Sequence, residues 1–513
     1  MENSWASSIV CGKPSHTTLA GARDCLSQCF DPSTLTETMR TEDHLPSLPG
    51  PLPGPAPRGG LSQRHENLPV RSRPAPQGID RLSRLALVLL SRARQGRLRL
   101  YTPKGQRLDF GLDDPRVPCA ELHLRTWRVF DRALRRGDVG FGESWMDDDW
   151  DSPDPVAVLR FMLKNRGELD QGIYGTWLGQ WIDRLRHWLH RNTRKGSRRN
   201  IAAHYDLGND FYRLWLDPSM TYSSALRDAL VDSFCAGAGS DSRTGSDSSP
   251  GSDSSPGSDS SPGSDSGAPG SDTALLRAQH RKYDRILEVL ALAEGAQILE
   301  IGCGWGGFAT RARRHGLHVK GLTLSAEQLA YCRQLHAGLE EPGVARFALQ
   351  DYRDERGTFD AVVSIEMFEA VGETYWGDYF SQIANRLRPG GQAVIQSITI
   401  DERNFLRYRA GTDFIQQYIF PGGMLPSAER LLAVAGRFGL HLCDQLRFGP
   451  DYAWTLARWR ERFLAHLREV QELGYDRRFQ RMWHFYLAYC QAGFEEGATD
   501  VVQFRLRKAA AAA

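Results

Sequence analysis

Ile298-Leu299-Glu300-Ile301-Gly302-Cys303-Gly304-Trp305-Gly306-Gly307-Phe308 decides how this chain folds. A short apolar strand ends in an acid and breaks into glycines just before a helix. Glycines lack a Cβ, so the backbone can approach a ligand closely, and the following helix offers unpaired N–H groups at its start. This is the form of a nucleotide-cofactor loop. Gly302, Gly304 and Gly307 also satisfy the dinucleotide pattern G-x-G-x-x-G, so the glycines alone leave two cofactor classes open. The acids separate them. A dinucleotide site needs an acid at the end of the second strand, about twenty residues on, to hold ribose hydroxyls. Here that strand, His318 to Leu324, ends in Gly-Leu-Thr-Leu-Ser without an acid, and the acid stands two residues before the first glycine, at Glu300.

Around this loop, strands and helices alternate. Ala296 to Ile301, His318 to Leu324, Arg346 to Asp351, Phe359 to Glu366 and Gln392 to Ile400 read as strands, and helical patterns begin near Trp305, Ser325, Asp378 and Ser427. That order predicts an α/β fold, a parallel sheet covered on both faces. Two later strands, His441 to Phe448 and Val501 to Lys508, complete a seven-stranded sheet, with helices Thr455 to Gln471 and Asp476 to Gly493 between them.

Much of the remaining chain of 513 residues is low in apolar content. Residues 1–75, rich in Pro, Ser, Thr and Gly, cannot bury enough apolar surface to offset chain entropy and are expected to be disordered. Residues 76–165 read as a small α+β domain: a helix from Leu82 to Ala93, a hairpin from Leu98 to Phe110 turning at Pro103-Lys104-Gly105, and a helix around Leu124 to Arg135. Within it, Gly137 to Met146 is expected as a glycine-rich turn with exposed aromatics. Residues 166–200 carry a basic amphipathic helix, with Trp177, Trp181, Leu185 and Trp188 on one face and Arg184, Arg186, His187 and Arg191 elsewhere. Such a helix suits either an anionic bilayer surface or packing as a connector. Residues 201–236 are expected to form a cap segment over the active site, followed by a linker, 237–272, where Gly-Ser-Asp-Ser-Ser-Pro repeats and nothing can form a core. Residues 273–508 hold the sheet.

Composition narrows the setting. The longest apolar run, Leu85 to Leu90, is too short to span a bilayer, and no secretory leader pattern opens the chain. Nine cysteines without a CxxC pair or zinc-ligand spacing argue against a disulfide framework or a metal site and favour a reducing, cytoplasmic setting. A net charge of +2 gives no electrostatic reason to expect nucleic acid.

Three further segments carry a family likeness: Ala203-His204-Tyr205-Asp206-Leu207-Gly208-Asn209-Asp210-Phe211-Tyr212, Met220-Thr221-Tyr222-Ser223-Ser224-Ala225, and Tyr418-Ile419-Phe420-Pro421-Gly422-Gly423-Met424-Leu425-Pro426-Ser427. With Leu299 to Gly307 and Met367-Phe368-Glu369, they resemble cyclopropane-fatty-acyl-phospholipid synthases and mycolic acid cyclopropane synthases, over roughly residues 76–508 without the linker. The resemblance implies a class I S-adenosylmethionine methyltransferase, Rossmann-like, with an N-terminal lipid-binding domain. It implies an enzyme peripheral to the membrane that adds a methylene from S-adenosyl-L-methionine across a cis double bond of an unsaturated phospholipid, and it allows a homodimer.

Glu300, Gly302, Gly304 and Gly306 are read as shaping the cofactor pocket. By similarity, Thr323 and Gln328 contact the cofactor's polar groups, Asp351 and Tyr352 border its adenine, and Tyr222 and Ser223 close over it. Tyr205, Phe368, Tyr418 and Phe420 are candidates to stabilise a carbocation through their ring faces. The family holds a bicarbonate as base, which carries over to Glu369, Tyr452, Gln396 and Ser224. The pattern departs at three positions. Ser224 stands in place of a Cys, Gln396 in place of a His, and Ala370 in place of a His after the Glu. Glutamine donates a hydrogen bond to an anion but cannot shuttle a proton near neutral pH, so a methyl- or methylene-branched product is the alternative to a ring.

Overall fold

The computed structural model describes residues 80–112, 119–173, 207–227 and 271–510. The expected disordered tail 1–75, the basic tryptophan helix, Tyr205 and the repeat linker as far as Gly270 lie outside the described residues.

The N-terminal part is α+β. Asp80 caps helix α1 (Arg81–Leu90) by accepting from the Ser83 N–H at 2.9 Å. Strands β1 (Arg97–Tyr101) and β2 (Arg107–Gly111) form the expected hairpin, with Gly105 at φ +76° in its turn. β3 (Ala120–Leu124) pairs parallel to β1, and after helix α2 (Arg128–Met146) the short β4 (Trp150–Asp151) pairs antiparallel to β3. Helix α3 (Pro155–Lys164) follows, capped by Asp154 and started by a proline whose missing N–H costs nothing there.

Gly137 to Met146 is not the exposed turn that its glycines suggest. It is the second half of α2, kinked where Gly137 takes φ 59°, ψ −136°, and Phe141, Trp145 and Met146 are buried. The glycines serve packing. A Cβ on Gly140 would lie 2.1 Å from the Arg132 carbonyl oxygen, and one on Gly142 would lie 2.4 Å from the Phe414 ring.

Helix α4 (Ser271–Leu290) leads into the large sheet. Its elements are β5 (Gln297–Ile301), α5 (Gly307–Arg314), β6 (His318–Thr323), α6 (Ala326–Leu335), β7 (Ala345–Leu349), β8 (Phe359–Ile365), α7 (Trp376–Arg386), β9 (Leu387–Ile400), α8 (Ala428–Gly436), β10 (Leu440–Arg447), α9 (Gly449–Ala465), α10 (Arg477–Glu495) and β11 (Thr499–Lys508). The strand order is β10-β11-β9-β8-β5-β6-β7. Six strands run parallel. Contrary to a wholly parallel expectation, β11 is reversed, pairing antiparallel with both β9 and β10. Helices α9 and α10 occupy the connection from β10 to β11, and the chain returns into the sheet as a hairpin-like partner of β9.

Both faces are covered, as continuous apolar strands require. Val362 of β8 packs with α7 and α8 through Tyr379, Phe380 and Leu431. Val363, its neighbour, packs on the other face with Ile286 and Leu290 of α4 and Phe308 of α5. A third core joins the N-terminal sheet to α9 and α10 through Trp145, Trp150, Trp459 and Trp483. The Trp145 indole N–H donates to the Arg481 carbonyl at 2.9 Å and Arg481 Nη2 donates to the Trp150 carbonyl of β4 at 2.9 Å, so helix α10 is tied to α2 and to the small sheet by specific bonds as well as by burial.

Overpacking a core costs about 1–3 kcal/mol, against up to about 1 kcal/mol that alanine gains over glycine inside a helix. G142A is therefore expected to unfold at lower denaturant than the wild type, and G142L lower still. Midpoints at or above the wild-type value would count against the Phe414 contact.

Candidate active site

β5 lies where the strand order reverses, between β6 and β8, and its carboxyl end is the place where an open α/β sheet leaves a crevice. Glu300 sits there, paired with Gly321 on one side and Val363 on the other. The loop beyond it is fixed against β6 by the Gly302 and Cys303 N–H groups, which both donate to the Leu322 carbonyl, at 3.0 and 2.9 Å. Gly302, Gly304 and Gly306 all have left-handed φ values, +81°, +51° and +85°. A side chain at Gly302 would also meet Met367 at 2.8 Å. Gly306 is the N-cap of α5, so the start of that helix opens on the crevice.

Glu300 is 3% exposed, and its Oε2 has no hydrogen-bond partner among the described residues. Burial pushes its carboxyl up to about 8. An orphaned buried carboxyl oxygen beside left-handed glycines and a helix start fits a cofactor that brings hydroxyl or cationic groups to it, and S-adenosylmethionine has both. Thr323 and Gln328, at the end of β6 and the start of α6, bond to each other at 2.8 Å, side by side with the loop. Asp351 spends its carboxylate on Arg353, at 2.9 and 2.6 Å, and Tyr352 packs with its ring 5.6 Å from Tyr379.

The segment 219–225 closes this crevice from the other side. Thr221 Oγ1 and the Tyr283 hydroxyl are 3.0 Å apart, and a Cβ on Gly307 would clash with that hydroxyl at 2.9 Å, so the segment rests on the first turn of α5. Ser223 is held by α4: its Oγ accepts from Lys282 Nζ at 2.5 Å and its carbonyl from Gln279 Nε2 at 2.9 Å. Tyr222 lies among Tyr212, Trp215, Trp459 and Phe420, with its hydroxyl 2.7 Å from that of Tyr486. The carried-over pair is thus fixed by α4 and α10, and Thr221 is the residue that ties it to the glycine loop.

The four residues assigned to a bound base converge, but not on an empty cradle. Ser224 N–H and Gln396 Nε2 donate to one oxygen of Glu366, at 2.8 and 2.7 Å, and the Tyr452 hydroxyl donates to the other at 2.6 Å. The amide of Gln396 is oriented by Gln503 of β11, whose Nε2 donates to Gln396 Oε1 at 3.0 Å, leaving its own N–H for Glu366. Ser224 and Tyr452 each have one such hydrogen, and both are spent. A separate bicarbonate therefore does not fit these donors while Glu366 is in place. Glu369 stands beside this group, accepting from the Ile398 N–H through Oε1, with Oε2 unpartnered among the described residues.

The two carboxyls keep part of their surface accessible, yet neighbouring atoms enclose them so closely that burial raises both. Glu369, with Glu366 as a like-charged neighbour, is pushed up to about 8. Glu366 is pulled back toward its ordinary range by Lys282 and by its three hydrogen-bond donors. Lys282 is fully buried, and burial pushes its ammonium down to about 7 against the attraction of Glu366.

Of the aromatic candidates, Phe368 is core, packed on Trp376, Tyr379 and Phe380. Tyr418 donates to Glu143 at 2.6 Å. Phe420 faces Tyr222 and Tyr486 at 6.4 and 6.3 Å and remains in the wall of the site. Sequence reasoning missed Glu366, Lys282 and Gln279. Glu366 had a signal, an acid closing an apolar strand three residues before Glu369; a lysine inside an amphipathic helix gives none.

An unfolded glutamate titrates near 4.3, roughly, and Glu300 in the fold near 8. Between these values the folded protein binds a proton that the unfolded chain has released, so stability is full below the lower value and falls as pH rises toward the upper. E300Q is expected to flatten that decline. Melting temperatures of both proteins from acid to mildly alkaline pH supply the check; parallel slopes would refute the buried acid.

The family model described as mycolic acid cyclopropane synthetase matches residues 192–233 and 267–504. The chain is 37% identical to the tuberculostearic acid methyltransferase UfaA1 of Mycobacterium tuberculosis over 409 residues, 77% of this chain and 84% of that protein. It is 32% identical to the cyclopropane-fatty-acyl-phospholipid synthase of Escherichia coli over 386 residues, 73% of this chain and 84% of that one. The solved structure of the cyclopropane synthase MmaA2 from Mycobacterium tuberculosis is 28% identical, with a TM-score of 0.49, over 61% of this chain and 98% of that one. By its match to the family model and its identity to these relatives, the chain belongs to the mycolic acid cyclopropane synthetase family of S-adenosylmethionine-dependent lipid methyltransferases and cyclopropane synthases.

Proposed function

We propose that the protein transfers the one-carbon group of S-adenosylmethionine to the cis double bond of an unsaturated phospholipid acyl chain and closes it to a cyclopropane. The observation that carries this reading is the pair of enclosed carboxyls, Glu366 and Glu369, set beyond the glycine crevice and walled by aromatic rings. An alkene is a weak nucleophile, so positioning and exclusion of water are most of the catalysis. The bound cofactor supplies an electrophilic methyl on sulfur. The glycine loop and Glu300 orient it, and the aromatic wall formed by Tyr222, Phe420 and Tyr486 lines an apolar path and offers ring faces to a developing cation. Ring closure needs a proton acceptor near the transferred carbon, and the carboxyl pair stands in that role.

The lipid surface is part of the proposal. Among the described residues no helix is long and apolar enough to cross a membrane. Helix α1 presents Leu85 and Val88 to solvent, 42% and 52% exposed, beside arginines in the same helix, a composition suited to a peripheral lipid contact by the N-terminal domain. The cytoplasmic face of the membrane and a homodimer belong to the same reading.

A second reading is a methyl- or methylene-branched product. The glutamine at 396 and the identity to a tuberculostearic acid methyltransferase favour it. Both products gain the same mass from the transferred carbon if a proton is lost. Methyl-labelled cofactor with vesicles of unsaturated phospholipid is expected to yield labelled lipid with high-field cyclopropyl proton signals; labelled lipid with vinylidene signals instead would establish the second reading.

E369Q is expected to lower kcat by about a hundredfold or more, with cofactor affinity by calorimetry changed by no more than about twofold. Unchanged turnover would remove Glu369 from the catalytic group.

A further inference from the structure

We propose that Glu366 is the chain's own proton acceptor for the one-carbon transfer, seated where the family resemblance puts a dissolved bicarbonate. The inference rests on the function proposed above. Three donors from three separate parts of the fold meet on this one carboxylate: the Ser224 backbone at 2.8 Å, the Gln396 amide from β9 at 2.7 Å and the Tyr452 hydroxyl from α9 at 2.6 Å. These are the same three residues that the resemblance assigns to the anion. A carboxylate and a bicarbonate present the same planar pair of acceptor oxygens, so one replaces the other without rearranging the cradle. Adding the dissolved anion as well would set another negative charge against Glu366.

The backbone makes the same point independently. Glu366 has φ +49°, a left-handed conformation rare for a residue with a Cβ and costing about 1–2 kcal/mol. Strain of this kind persists where surrounding structure enforces it, and here its result is delivery of the carboxylate into the cradle. The arrangement also explains two departures from the family pattern. Gln396 is locked in a chain of bonds, Arg285 to Gln503 to Gln396 to Glu366, that points an N–H at the carboxylate. Ser224 uses its backbone N–H, so the side chain at that position is immaterial to the contact; its hydroxyl donates to the Ala225 carbonyl.

The two neighbouring acids differ in their support. Glu366 has three donors and the nearby Lys282 ammonium, which favour the ionised form that can accept a proton. Glu369 accepts from the Ile398 N–H through one oxygen, while its other oxygen has no hydrogen-bond partner among the described residues. Divergent environments of adjacent carboxyls are how an acid–base pair divides its roles.

The step balances without a co-reactant. The alkene's π pair forms the new bond to the methyl carbon as the carbon–sulfur bond breaks, its pair staying on sulfur. One C–H bond of the added methyl then breaks; its electron pair closes the third ring bond onto the cationic carbon, and the proton passes to a Glu366 oxygen. The methyl sits on the carbon next to the cationic one, so its C–H pair reaches the empty orbital as the proton leaves, and a carboxylate suffices as acceptor.

The test uses the full chain, methyl-labelled cofactor and vesicles of dioleoyl phosphatidylglycerol and phosphatidylethanolamine, in buffer stripped of carbon dioxide or supplied with bicarbonate. Wild-type turnover is expected to be the same in both buffers, and E366Q to fall by about a hundredfold or more in both. E366G should fold, since glycine accepts the left-handed backbone, and it vacates the seat; its activity is expected to be lost in stripped buffer and restored at least about tenfold by bicarbonate. Wild-type turnover that collapses in stripped buffer, E366Q that stays near the wild-type rate, or E366G that bicarbonate does not restore would each overturn the inference. Wild-type transfer that depends on bicarbonate refutes only Glu366 as the base, whereas no label in lipid from the wild type under any condition refutes the proposed function itself.

Discussion

The carboxylate of Glu366 is the constraint on which the site depends. A buried anion is tolerated only when hydrogen bonds and a counter-charge replace the water it has lost, so each donor must come to it. Ser224 brings the segment before the linker, Gln396 brings the centre of the sheet, and Tyr452 brings the helical insertion between the last two strands. Removing any of them would leave a buried charge short of a partner. The same requirement fixes the register of β11, because Gln503 has to face Gln396 to orient its amide.

The second organising force is aromatic burial. Trp215, Trp459 and Trp483 pack with Phe211, Tyr212 and Tyr222 into one cluster, most pairs tilted or edge-to-face, as ring quadrupoles prefer. This cluster joins the segment around Phe211 to α9 and α10 and thereby roofs the crevice above the glycine loop. Trp305, inside that loop, is drawn into it by an indole bond of 2.7 Å to Asn209. An apolar roof of this kind keeps water from a cation, and it strengthens every polar contact beneath it. Under the proposed function, chemistry at a carbocation and stability of the fold draw on the same rings.

Under the proposed function, the chain combines a cofactor crevice with its own handling of the proton. The glycine loop, Glu300 and Glu369 match the pattern that the resemblance supplied. The base position does not, and all of its departures lie within hydrogen-bonding distance of Glu366 or next to Glu369. Substitutions that look scattered along the chain, at 224, 370 and 396, are one adjustment in space.

The sequence by itself determined the seven strands, the glycine loop and the family, because these rest on local signals: apolar runs of strand length, glycines where φ must be positive, and turns with the residues that turns require. The family resemblance also singled out Ser224, Gln396, Glu369 and Tyr452. Tertiary structure alone decided what those residues hold. Gly142 read as part of a turn because its close packing against Phe414 leaves no local trace, and Lys282 read as an ordinary helix residue because its burial is set by segments distant in the chain. Glu366 became the centre of the site only when residues separated by up to 228 positions met around one carboxylate, a convergence set by long-range packing and visible in no window of sequence.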